Sequence, residues 1–266
     1  SASATGTPTC GGLFESAMSE APDLRRPAKV VMVCAEEGRE ILSHRLHAIA
    51  AHSMKALPED ERNRLLALLD ENLVLFGLSG HQHVAFLNAE QEPTDAFEEL
   101  LGVCDAARLV VLAPLRQFHH GDENSSLAMN AVVQVLQHLA KQTGAAVVAT
   151  HHANRTSSID GLGHSSDASR GSTALNDGVR WHINLSRPSQ ELLSLYGIER
   201  HEEFKYVALS YPKANYMAKP GQFELLRRGT GGVLELVPSP RAQGIKNASP
   251  PRSRASSRQQ PRGVAL

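Results

Sequence analysis

The chain has 266 residues and is 41% hydrophobic, enough for one buried α/β core with appendages or for two small domains. Its 27 basic and 28 acidic residues leave a formal net charge of −1, which excludes a polycation as a whole. Three widely spaced cysteines, Cys10, Cys34 and Cys104, exclude a disulfide framework and a cysteine metal site, and no run of eighteen apolar residues is present. A reducing, cytoplasmic setting without membrane contact is expected.

Residues 1–28 are small, polar and glycine-rich, with no apolar period, and are expected to be a degenerate or truncated segment. Within them, Gly6-Thr7-Pro8-Thr9-Cys10-Gly11-Gly12-Leu13 has the glycine spacing of the phosphate-cradling loop G-x-x-x-x-G-K-[ST]. Gly12 stands at the lysine position and Leu13 at the hydroxyl position. Two glycines at this spacing are weak evidence by themselves and also suit a flexible terminus. Lys29–Cys34 is a short apolar run suited to a buried parallel strand. The Cys34-Ala35-Glu36-Glu37 segment then places carboxylates at the strand tip. There a carboxylate can orient or deprotonate an attacking water, or simply open the next helix.

Arg39 to Lys55 carries Ile41, Leu42, Arg45, Leu46, Ile49 and Ala50 at helical spacing, and Glu59–Asp70 reads as a second helix. Leu73–Phe76 reads as a strand. Thr94 is a candidate N-cap for a helix through Phe97, Leu100 and Leu101. Arg108–Leu112 is the next core strand, followed by Ala113, which has no side-chain oxygen for a hard cation. Asp122 and Glu123 either supply that oxygen or are solvated loop charges. Ser125 to Thr143 is an amphipathic helix stopped by Gly144. The strand Ala145–Thr150 delivers His151-His152, either structural or able to sense a γ-phosphate.

Residues 154–167 form a long Ser/Gly/His loop. Beyond it lie Arg170 and Arg180, beside Gly171, Gly178 and Trp181. Each arginine is either a surface ion pair or a finger offered to a neighbouring subunit's nucleotide. The segments 182–185 and 204–210 read as later strands, and 223–226 with 233–236 as a terminal hairpin. Strands alternating with helices give an α/β fold, a mostly parallel sheet with helices on both faces, followed by that C-terminal β-hairpin. From Pro238 to Leu266 six Lys/Arg and no acid occur, so the rest of the chain holds 21 basic against 28 acidic residues. This Pro/Ser-rich tail, 238–266, is expected to lie outside the core formed by residues 29–237.

Several motifs occur together in one order: Ala35-Glu36-Glu37, His44-Arg45-Leu46-His47-Ala48, Leu109–His119, His151-His152-Ala153, Ala168–Ser172, Val179-Arg180-Trp181 and Lys213-Ala214-Asn215-Tyr216. As a set they resemble the RepA-type plasmid replicative helicases, AAA-type ATPases with a RecA-like P-loop NTPase fold. The resemblance implies a ring, commonly a hexamer, that binds ATP with Mg²⁺ between subunits and single-stranded DNA in its channel. It implies Glu36 as the catalytic carboxylate and His152, or its neighbour His151, as the γ-phosphate sensor. Arg170 and Arg180 would be fingers across the interface, and Arg45 and Tyr216 a clasp on adenine. Lys213 would face the nucleotide, and Gly6, Gly11 and Gly12 would be the remnant of its phosphate loop. No protein metal ligand is assigned. Ala113 stands where that family has its Mg²⁺-associated Asp, so hydrolysis is expected to be impaired. The alternative is a RecA-fold DNA-binding or ring-assembly module that does not hydrolyse ATP.

Overall fold

A computed structural model describes residues 26–81, 84–152, 174–215 and 223–240. The apolar runs become the parallel strands β1 (Val30–Cys34), β2 (Leu73–Gly77), β3 (Leu109–Ala113) and β4 (Ala146–Ala149), in the spatial order β2-β1-β3-β4. Between β1 and β2 run α1 (Arg39–Ser53) and α2 (Glu59–Asn72); α3 (Asp95–Val103) precedes β3, and α4 (Ser126–Thr143) joins β3 to β4.

The chain moves one way along the sheet from β1 to β2 and the other way thereafter. Right-handed crossovers therefore place α1 and α2 on one face and α3 and α4 on the other. The burial follows this division. Val31, Val33, Val110 and Leu112 point to one face and form the main core with Phe97, Leu100, Met129, Val132 and Leu139 of α3 and α4. On the opposite face Val30 and Cys34 are buried, as are Leu42 of α1 and Met54 just beyond it.

The helix termini follow local chemistry. Ser125 caps α4 by accepting a hydrogen bond from the Ala128 amide, and Gly144 ends it in the left-handed conformation at φ 70°. Thr94 occupies the N-cap position of α3 but does not cap it; its hydroxyl donates to the Ala85 carbonyl at 2.6 Å.

After β4 the described chain resumes with the short α5 (Ala174–Gly178) and a second sheet. This sheet is antiparallel: β5 (Trp181–Ser186), β6 (Tyr206–Ala214), β7 (Glu224–Arg228) and β8 (Leu234–Leu236), in that order, with α6 (Gln190–Leu195) between β5 and β6. The expected hairpin is present as β7 and β8, but as half of a four-stranded sheet. Phe204 and Lys205, expected in a strand, lie in a 3₁₀ turn before β6. The turn from β7 to β8 rests on α1. A Cβ on Gly231, which has φ +71°, would overlap the Ala48 Cβ. His52 of α1 also pairs with Glu235 of β8 at 3.0 Å.

Candidate functional site

The carboxyl ends of β1, β3 and β4 converge, because a parallel sheet brings the ends of adjacent strands to one edge. The register pairs Cys34 with Ala113, and the Ala35 amide donates to the Ala113 carbonyl at 2.8 Å. The Thr150 amide donates to the Leu112 carbonyl at 2.9 Å, which extends β4 to the same edge. Glu36 and His152 therefore stand on either side of the β3 tip, and Glu36 Oε1 lies 3.6 Å from His152 Nε2. Both side chains are at least half exposed, so this edge is open to a ligand. Ala113, between them, contributes no side-chain oxygen.

The neighbouring carboxylates are engaged elsewhere. Glu37 pairs with Arg45. Asp122 Oδ1 accepts from the Asn124 amide at 2.9 Å and from the Asn124 side chain at 3.2 Å, which commits it to the turn before α4. Glu123 is not a solvated loop charge: its side chain is 19% exposed and lies 3.8 Å from His151 Nδ1. Among the described residues no group of three or more His, Cys, Asp or Glu is arranged to hold a metal ion. Ala113 offers no side-chain oxygen at the β3 tip, so a Mg²⁺ there would depend on Glu36, water and nucleotide oxygens.

The two histidines at the β4 tip part company. His152 turns outward to Glu36, while His151 turns inward toward Glu123 and the rings of buried His119 and half-buried His182. Burial lowers the pKa of His119; Arg116 and His151 add to the shift, and Glu123 and the Gly121 backbone oppose it. Burial likewise lowers that of His182, with Asn184 opposing and His151 and Lys213 adding. Proximity of titratable groups at a sheet edge was the missing signal. His119 lies six residues past Ala113 and His182 one past Trp181, so only tertiary folding brings them to His151.

Arg45 lies on α1 beside a cleft of about 520 Å³, lined by Glu40, Ile41, His44, Arg45, Gly231 and Gly232. Arg180 is exposed on the link between α5 and β5. Lys213, on β6, donates to the Asn176 and Asp177 carbonyls at 2.7 and 3.0 Å. Gly6, Gly11, Gly12, Arg170 and Tyr216 lie outside the described residues, as do the 154–167 loop and the tail beyond Pro240.

The fold is similar to that of solved ATPase and helicase structures. One match is a solved ATPase domain, with 15% identity, a TM-score of 0.53 and coverage of 87% of this chain and 82% of that one. Another is a DnaB-like replicative helicase, with 17% identity, a TM-score of 0.53 and coverage of 86% of this chain. The chain spans 56% of that helicase's length. No described helix is long and apolar enough to cross a membrane. Residues 2–158 match the AAA_25 family, described as an AAA domain, and this match takes in the Gly6–Leu13 segment together with β1 to β4. The chain belongs to the AAA_25 family of AAA domains.

Proposed function

We propose that this chain is a RepA-like subunit of a cytoplasmic plasmid-replication helicase, assembled as a ring, commonly a hexamer, around single-stranded DNA, and impaired in ATP hydrolysis as it stands. The observation that carries this reading is the approach of Glu36 to His152 across the tip of β3. A carboxylate that orients water and a histidine that senses the γ-phosphate need that juxtaposition. In this reading Arg45 and Tyr216 clasp the base, and Gly6, Gly11 and Gly12 are what remains of the phosphate loop. Arg170 and Arg180 act on the nucleotide of the adjacent subunit. ATP with Mg²⁺ is the cofactor set that the family implies.

The impairment follows from chemistry. Gly12, Leu13 and Ala113 remove an ammonium, a hydroxyl and a carboxylate from the sites where phosphoryl-transfer enzymes hold phosphate and metal. The same three residues favour a second reading, a RecA-fold assembly or DNA-binding module that donates arginines to other subunits without turnover.

Sedimentation of the chain with and without an ATP analogue, combined with single-stranded DNA binding, tests the assembly. The expected result is a nucleotide-promoted ring that binds single-stranded DNA. A monomer without DNA affinity under both conditions contradicts it.

A further inference from the structure

The exposed guanidinium of Arg180 sits on a two-residue link, and the backbone on both sides of that link is held by hydrogen bonds. The last carbonyls of a helix lack partners within the helix and must find them elsewhere. In α5 each of the last four finds one. Leu175 accepts from the Val179 amide at 3.1 Å, and Gly178 accepts from Gln137 Nε2 of α4 at 3.2 Å. The two between them, Asn176 and Asp177, both accept from Lys213 Nζ, at 2.7 and 3.0 Å. Past the link, the Asn215 amide donates to the Arg180 carbonyl at 3.1 Å, and Trp181 pairs with Ala214. Gly178 is packed so closely on α4 that a Cβ there would overlap Val133 Cγ1.

We infer that Lys213 is a positioning residue for Arg180: its ammonium fixes the end of α5, and so aims the guanidinium, instead of contacting nucleotide. A cation at a helix C-terminus is favoured by the exposed carbonyl dipoles, and one ammonium has the donors to serve two carbonyls at once. Lys213 is also two residues from Asn215, so one end of β6 secures both sides of the link. The inference rests on the reading of Arg180 as an arginine that acts on a neighbouring subunit's nucleotide.

Two measurements on the full chain test it. The first is backbone amide hydrogen exchange over residues 176–182 in the parent protein and in Lys213→Met. Loss of two charge-assisted hydrogen bonds is expected to speed exchange there about tenfold or more, without a change in the β1–β4 sheet. Unchanged exchange over 176–182 overturns the inference. If Lys213→Met does not fold, Lys213→Gln, which keeps a neutral donor, carries the same comparison.

The second is a double-variant cycle on the affinity for a fluorescent ATP analogue. Arg180→Ala and Lys213→Met are each expected to weaken binding about tenfold, and the double variant no further. Additive losses would mean that Lys213 touches nucleotide itself, and would also overturn the inference. An Arg180→Ala variant of unchanged affinity would sink the reading of Arg180 as a finger, and the exchange comparison would still decide whether Lys213 holds the link.

Discussion

His119 is 1% exposed and both of its ring nitrogens are enclosed. Burial holds it, and likewise His182, neutral by lowering its pKa below the ordinary 6.5. The unfolded chain therefore binds protons that the folded chain refuses. The contribution of these two groups to stability is level well above pH 6.5 and falls as pH drops through and below that value. Thermal melts between about pH 7.5 and 5.5 should show this loss, and His119→Gln should reduce its slope by up to one proton's worth. An identical slope in the variant would remove His119 from the account.

The thiols give a second residue-scale expectation. Burial pushes Cys104 up to about 11, with Lys29 opposing, and raises Cys34 as well, with Glu37 adding and Arg45 opposing. Neither is a thiolate at neutral pH, and both are at most 4% exposed. Mass-mapped labelling with a thiol reagent should leave Cys34 and Cys104 unmodified until the chain unfolds; rapid labelling of either in the native state would contradict the burial described.

At the scale of elements, the parallel strands were legible because each is a continuous apolar run ended by polar or small residues, as in Val30–Cys34 before Ala35-Glu36. The α4 helix was legible from its apolar stripe and Gly144. The expectations failed where distant chemistry takes over a local signal. Thr94 has the sequence of a cap, but its hydroxyl finds the Ala85 carbonyl. Glu123 reads as a loop charge until His151 arrives from the end of β4.

One packing element that no periodicity reveals is the Phe86–Phe118 stack, with centroids 4.7 Å apart and planes within 1°. It joins the 3₁₀ turn after β3 to the loop before α3, and so supports the edge that carries the site. Phe118 is 2% exposed, and Phe118→Ala should cost about 3–5 kcal/mol of unfolding free energy by denaturant titration. A loss under about 1 kcal/mol would mean that the ring lies outside the core.

Across the whole molecule the parallel sheet, with helices on both faces, was legible from alternation, whereas the extent of the antiparallel sheet was not. Its strands run from nine residues in β6 to three in β8, and its contact with α1 depends on Gly231 reaching Ala48, which no local pattern encodes. Glu36 and His152, which the fold brings to one edge, could be named from the sequence, but the different surroundings of His151 and His152 required the fold. At the tip between Glu36 and His152 the chain offers the methyl group of Ala113, which the proposed function takes as the place of a metal-associated carboxylate.

That position makes ATP turnover the most direct test. The assembled chain should be assayed at saturating ATP and Mg²⁺ with single-stranded DNA, beside Glu36→Gln. The expected result is nucleotide binding with no hydrolysis above the Glu36→Gln background. Mg²⁺-dependent turnover that disappears with Glu36→Gln would show that the metal site is rebuilt from other residues, and would contradict the account of this edge as an impaired hydrolytic site.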